Sequence, residues 1–180
     1  MNIFFLSTDP KLCAQYHCDK HVVKMVLESA QMLCTAHRIL DGTKTTSIVN
    51  GRKKTFWYHS NELLYKATHQ NHPCSVWTRS SLGAYKKHYE IFAALCDEYK
   101  HRYNKTHLCD EKFRDVLCNA PRNISTNIIE NEPPQAMPDE YKGKDLVSSY
   151  RKYYIFEKGK FAKWTNRPTP KWFRPDFRKD

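Results

Sequence analysis

Glycine is scarce, at five residues in 180, while 40% of the chain is hydrophobic. So little glycine suits a packed helical protein, and the expected fold class is mainly α, a single compact helical domain. Long hydrophobic runs are missing too. Nothing approaches the roughly 18 to 20 apolar residues of a membrane span, so no membrane partner is expected. The opening MNIFFLSTDPK has no basic region ahead of its short apolar patch, so it does not read as a signal peptide. The expected setting is the cytoplasm, the host's cytoplasm if a phage encodes the chain. An even cysteine set is also lacking: there are seven, which without a secretion signal reads as free thiols. Cys34 and Cys96 fall on apolar helix faces, where cysteine acts as a small hydrophobe. Cys13, His17, Cys18 and His21 have ligand chemistry, but C-x3-H-C-x2-H is not a zinc spacing and no second pair completes it. No metal and no cofactor is therefore expected.

Acidic residues are the remaining shortage. Thirty Lys and Arg stand against nineteen Asp and Glu, a net +11. The excess is concentrated: residues 141–180 hold twelve basic and four acidic residues, together with ten of the 24 aromatics. Concentrated positive charge draws polyanions, nucleic acid above all. Arg151, Lys163, Arg167, Lys171 and Arg174 lie among Tyr150, Tyr153, Tyr154, Trp164, Trp172 and Phe173. Cations can meet phosphates while rings stack on bases. The competing reading is that the tail folds back and Tyr150, Tyr154 and Trp164 cover the core.

The expected partition is a helical core over residues 1–140 and a basic, aromatic C-terminal helix and tail over 141–180, packed on the same domain. MNIFFLS reads as a short strand or extended arm. Thr8 or Asp9 can cap a short helix that opens on Pro10. A long helix follows from Asp19, which can cap it, and ends before Gly42. DGTKTTSIVNGRKKT reads as an exposed loop and SNELLYKAT as a helix. Beyond Pro73, Leu82, Tyr85, Tyr89, Phe92, Cys96, Tyr99 and Tyr103 recur three and four apart, the core face of a helix. DEKFRDVLC is a short helix, residues 119–144 a proline-punctuated loop, DLVSSYRKYYIFEKGK a last helix, and the proline-rich tail from Trp164 irregular.

The long helix DKHVVKMVLESAQMLCTAHR is apolar around most of its circumference. At about 100° per residue, Lys20, Lys24, Glu28, Gln31, Thr35 and Arg38 share an arc of roughly 80°. An ordinary surface helix shows the inverse, so this one should be central. A charged stripe on a central helix must be paired or must face water or a ligand. Either Lys24 and Glu28 pair where the stripe surfaces, or Lys20, Lys24 and Glu28 floor a cleft; the cleft is preferred. Asp19 and His21 lie at its mouth. THQNHP adds His69, Asn71 and His72 before a helix N-terminus, where an anion can bind and a histidine can move protons. Glu98, Arg102 and His107 form a third cluster, with Glu98 and Arg102 spaced as a surface ion pair.

DKHVVKMVLESAQML, NHPCSVW, CDEYKHRY and WTNRPTPKWF together resemble a group of uncharacterised phage and bacterial proteins, over nearly the whole chain. The sequence also resembles the pyrimidine-dimer DNA glycosylases, the phage endonuclease V family, which are small, basic, helical and single-domain. AQYHCD (Ala14 to Asp19) echoes that family's early Ala-Glu-Tyr-Arg-Glu stretch, and RPTPKWF (Arg167 to Phe173) its C-terminal Arg-Pro-Thr with aromatic and basic residues. The resemblance implies that Asp19 or a nearby acid stands where the family has its catalytic glutamate. It also implies an enzyme that exposes a damaged nucleotide, attacks the sugar with an amine and cuts the strand by elimination. The family's nucleophile is the α-amine of a threonine exposed by removal of the initiator methionine. Here position 2 is Asn2, whose size disfavours trimming, so the amine would be that of Met1, Lys20 or Lys24. The expected function is thus a nucleic-acid-acting enzyme with DNA glycosylase-like chemistry on DNA or a nucleotide. Its catalytic candidates are Asp19, Lys20, Lys24, Glu28 and His72. Its nucleic-acid contacts are His69, Asn71, Arg102, Arg151, Lys163, Arg167, Lys171, Trp172 and Arg174. The alternatives are a non-catalytic nucleic-acid-binding protein and a small-molecule enzyme acting on a phosphorylated nucleotide. The sequence leaves the oligomeric state open.

Overall fold

A computed structural model describes residues 1–127 and 132–174. Residues 128–131 of the expected proline-rich loop and 175–180 of the expected tail lie outside the described residues. Six α-helices, one three-residue 3-10 helix (Asp139–Tyr141) and one two-stranded hairpin make up the described fold, so the mainly α class holds. No described helix is long and apolar enough to cross a membrane. α1 (Pro10–Tyr16) starts where the Asp9 carboxylate accepts the Leu12 amide at 2.7 Å and Pro10 supplies a preset φ. α2 (Asp19–Asp41) follows after two residues. Asp19 is its first helical residue rather than its cap; Cys18 holds the cap position without a side-chain hydrogen bond.

α3 (Pro73–Thr78) is short, and α4 (Leu82–Tyr103) is long, capped by Ser81 and closed by Asn104 in the left-handed conformation. α5 (Leu108–Leu117) and α6 (Leu146–Lys158) complete the helices, with Asp145 accepting the Ser148 amide at the start of α6. α2 packs against α3, α4 and α5 and against the hairpin, which makes it the central helix that its inverted pattern requires. Tyr85, Phe92 and Cys96 of the α4 stripe are fully buried, while Tyr89, Tyr99 and Tyr103 lie half-buried along its edges. Ile3 to Leu6 run extended into the core without joining a sheet. All seven cysteines are free and six are buried.

Two segments differ from the sequence reading. DGTKTTSIVNGRKKT is a hairpin, β1 (Thr43–Val49) and β2 (Arg52–Tyr58), paired antiparallel from Thr43↔Tyr58 to Val49↔Arg52. Asn50 and Gly51 both take positive φ, 53° and 71°, as a two-residue hairpin turn demands. SNELLYKAT is not a helix, because its backbone is engaged elsewhere. The Arg38 guanidinium donates to the carbonyls of Leu64 and Tyr65 at 2.7 Å each, and Thr35 Oγ1 accepts the Thr68 amide at 3.1 Å. Side chains of α2 thus take up polar groups that a local helix would have paired internally.

The C-terminal segment folds back. Tyr150, Tyr154 and Phe173 belong to the core, the Asp19 amide donates to the Lys163 carbonyl at 2.8 Å, and Trp164 Nε1 donates to the Tyr16 carbonyl at 3.1 Å.

Candidate active site

The polar stripe of α2 divides into two halves. Thr35 and Arg38 are buried. Arg38 donates to three carbonyls, those of Tyr65 and Leu64 and that of Trp57 at 2.9 Å, so it fastens the hairpin exit and the following loop to the helix. Lys20 and Lys24 are exposed and Glu28 is nearly enclosed. Lys20 turns away, with its ammonium 4.9 Å from the centre of the Phe161 ring. Lys24 and Glu28 face a cavity of about 250 Å³, which Met1, Asn2 and Lys158 also line.

Within that cavity Glu28 is surrounded by nitrogen. Its Oε2 accepts the Asn2 amide at 2.9 Å and lies 3.6 Å from the Met1 α-amine; its Oε1 lies 3.4 Å from Lys24 Nζ. Asn2 anchors this end of the chain. Its Nδ2 donates to the Ala136 carbonyl at 2.8 Å, and its Oδ1 accepts the Ile3 amide at 2.7 Å and lies 3.0 Å from the buried Tyr150 hydroxyl. The first residues are therefore clamped against α2 rather than trailing in solvent. The nitrogens of Met1 and Asn2 thus both lie beside the same carboxylate. Met1, Lys24 and Lys158 bring three amino groups to a cavity with one carboxylate, an excess of positive charge.

Burial lowers the pKa of both nearby histidines. His21 also lines the cavity, stacked on Phe4 with ring centres 4.5 Å apart. The Tyr154 hydroxyl, which accepts the Cys18 amide, lies 2.8 Å from His21 Nδ1. Burial, reinforced by His17, Lys158 and Lys24, pushes its pKa down to about 3. His72 caps α3, accepting the Cys74 amide at 3.2 Å. Its pKa is lowered by partial burial and then by the Met1 amine and His69, against the opposing Glu28 carboxylate. Its neighbours His69 and Asn71 are exposed, and α3, at six residues, is too short to concentrate a useful N-terminal dipole.

Asp19 is occupied elsewhere. Its carboxylate accepts from Arg102 Nη1 at 2.9 Å, the Thr165 amide at 2.9 Å and the Thr165 hydroxyl at 2.8 Å. Arg102 also donates to Glu98 at 2.7 Å and to the Gln15 carbonyl at 3.0 Å, and Arg167 reaches both Glu98 oxygens, at 2.9 and 3.0 Å. Two acids and two guanidiniums form a neutral, largely buried quartet that ties the tail to α2 and α4. The pair expected at the surface is thus interior: the Glu98 and Arg102 side chains are almost wholly enclosed. Arg102, expected on nucleic acid, has no exposed side-chain surface from which to reach it. Arg151 donates to the Leu6 carbonyl at 3.0 Å and lies against the Tyr16 and Trp172 rings, which directs Arg151 and Trp172 inward as well. Lys163, Lys171 and Arg174 remain exposed. The Cys13 and His21 group is engaged in packing: Cys13 Sγ contacts the Phe4 carbonyl, and His17 Nδ1 lies 2.7 Å from the Cys13 carbonyl.

A family model described as pyrimidine dimer DNA glycosylase matches residues 1–111. The chain belongs to that family. Among curated proteins and among solved structures there is no match. Membership implies a DNA glycosylase-type activity, and hence DNA as substrate. The matched span carries Met1, Asn2, Lys24 and Glu28 and ends before the basic tail. Sequence reasoning named all four but read Asn2 only as an obstacle to trimming and missed it as the clamp, a role that depends on Tyr150 and Ala136 arriving from far along the chain. It also missed the hairpin as a charged surface, although Lys44, Arg52, Lys53 and Lys54 are all exposed there; Asn50-Gly51 between two β-branched and aromatic runs was the available signal.

Proposed function

We propose that the protein excises a damaged base from DNA and cleaves the strand there, with an amine of the Glu28 cavity as nucleophile. The carrying observation is the Met1 nitrogen 3.6 Å from Glu28, with the Asn2 nitrogen at 2.9 Å. The amine, after giving its proton to Glu28, adds to C1′ of an extruded nucleotide as the bond to the base breaks and the base leaves. Loss of the remaining amine proton and opening of the sugar give an imine. Glu28 passes the proton it took from the amine to the departing base and so returns to the carboxylate; the carboxylate, or water held by it, then removes a proton from C2′, and the electron pair expels the 3′ phosphate by elimination. Lys24 is the second amine within reach of the same carboxylate. Asp19, engaged by Arg102 and Thr165, has a structural role in this reading, and Lys20 and His72 stand outside the reacting group. The exposed cations of the hairpin and Lys163, Lys171 and Arg174 supply phosphate contacts.

Borohydride trapping on dimer-containing and abasic DNA tests this directly. The expected result is a covalent adduct whose peptide map falls on the first residue. Lys24→Ala should leave that adduct intact. Glu28→Gln should lower strand cleavage by about 10²- to 10⁴-fold, the usual worth of a general acid–base group, with DNA binding retained. DNA binding without any trapped adduct, or an adduct on a lysine far from Glu28, would remove the proposal.

A further inference from the structure

At the other end of α2, about 14 to 20 Å along its axis from Glu28, lies a separate cavity of about 380 Å³ walled in part by His37, Asp41 and His59. One ring nitrogen from each histidine and one Asp41 oxygen lie within 4.8 Å of one another. We propose that these three side chains bind one divalent transition-metal ion of the zinc class, with a fourth position open to the cavity.

The chain sets up this arrangement locally. His37 and Asp41 are one turn apart on α2 and so share a face. His59 follows directly on β2, and the pairing of Thr43 with Tyr58 returns the chain to the end of α2. Two nitrogens and one carboxylate suit zinc and its neighbours in the first transition row. A tetrahedral ion needs its ligand atoms about 3.4 Å apart, a closure that rotation of the half-buried His59 ring can supply.

The surroundings orient the ligands as metal sites do. His37 Nε2 lies 2.8 Å from the Tyr85 hydroxyl, whose single proton is directed at the Leu117 carbonyl, 2.9 Å away. His37 therefore donates at Nε2 and keeps a lone pair on Nδ1, and the fixed outer partner sets its tautomer. Asp41 accepts the Arg122 and Asn123 amides at 2.8 and 2.9 Å, which fixes the carboxylate while lone pairs remain free. His59 accepts the Asn61 amide at 3.0 Å. On metal binding that turn amide passes to water. The ion would fasten the end of α2 to the hairpin exit, at a distance from the chemistry proposed at Glu28.

The test is a Co²⁺ titration of chelator-stripped protein, followed by Zn²⁺ competition. One equivalent should bind with the visible absorption of a tetrahedral nitrogen–oxygen site, Zn²⁺ should displace it, and the melting temperature should rise with added metal. His59→Ala should lose that equivalent, and Tyr85→Phe should weaken binding about 10- to 100-fold by removing the outer partner. If His59→Ala loses its helical circular dichroism, Asp41→Asn carries the same test. Absence of a bound equivalent in the wild type overturns the proposal. So does its retention in a folded His59→Ala or Asp41→Asn variant, or a thiolate charge-transfer band placing the ion on cysteine.

Discussion

Lowering the pH from about 7.5 to about 5 should cost the protein roughly 6 kcal/mol of stability through His17, His21 and His88 alone. All three are buried, and burial is the leading cause that pushes His17 down to about 4 and His21 and His88 down to about 3, from 6.5. The unfolded chain binds a proton on each below about pH 6.5, whereas the folded chain binds none until about pH 3 to 4. Stability is therefore intact above that upper value and falls as the pH drops through the window. Each histidine contributes about 1.4 kcal/mol per pH unit, so three give a slope of about 4. His72 and His107, also lowered mainly by burial, act in the same direction. Against a typical total of about 5 to 15 kcal/mol, the loss brings the protein close to acid unfolding near pH 5. A melting series by circular dichroism at constant ionic strength should show a fall of about 12 to 24 °C over that range. His88 offers an internal control. Its Nδ1 lies 2.7 Å from Thr78 Oγ1, and its Nε2 is buried with no hydrogen-bond partner among the described residues. His88→Gln cannot titrate and should remove about one third of the slope that His17, His21 and His88 together contribute. A melting temperature at pH 5 within about 5 °C of that at pH 7.5 would refute the reasoning.

Arg102→Ala should destabilise the fold by about 3 to 5 kcal/mol in urea titration, because it leaves Glu98 charged and enclosed with one of its two guanidiniums gone; a loss below 1 kcal/mol would mark the quartet as dispensable. Arg38→Met should cost about 2 to 4 kcal/mol by orphaning three carbonyls, and hydrogen exchange should show its effect at the hairpin exit and residues 64–68 before the rest of the fold. Replacing Arg52, Lys53 and Lys54 by alanine should reduce the slope of log affinity for DNA against log salt by up to about 2.7, at about 0.9 per phosphate contact. An unchanged slope would take the hairpin out of the DNA interface.

The helices were readable where their signals are local. Asp9-Pro10, Ser81 and Asp145 mark starts, and the α4 stripe repeats for six turns. The hairpin was readable in principle, but Ile48 is 78% exposed and β1 shows no alternation of buried and exposed positions, so the usual period-2 signal is absent. SNELLYKAT has helix-forming residues and is overruled by Arg38, a partner about 26 residues earlier in the chain. The quartet was illegible for the same reason. Glu98 and Arg102 look like any exposed i, i+4 pair until Thr165 and Arg167 return over sixty residues later to cover them.

The choice between the two acids of α2 turns on that distinction. Asp19 and Glu28 are nine residues apart, which places them about 180° around the helix from each other, so they cannot serve one reacting centre. Asp19 accepts from three donors fixed by packing, two of them on Thr165 and one on the buried Arg102. A carboxylate so held is a poor proton acceptor, because every proton it takes breaks a bond that the fold relies on. Glu28 has one fixed donor, the Asn2 amide, and two amines as further partners, of which Lys24 is 63% exposed and free to move. It can take a proton from one neighbour while the other still balances its charge. The resemblance pointed to Asp19 or a nearby acid; in the proposed reading that acid is Glu28, because a catalytic acid must sit where a nucleophile and a substrate can both reach it.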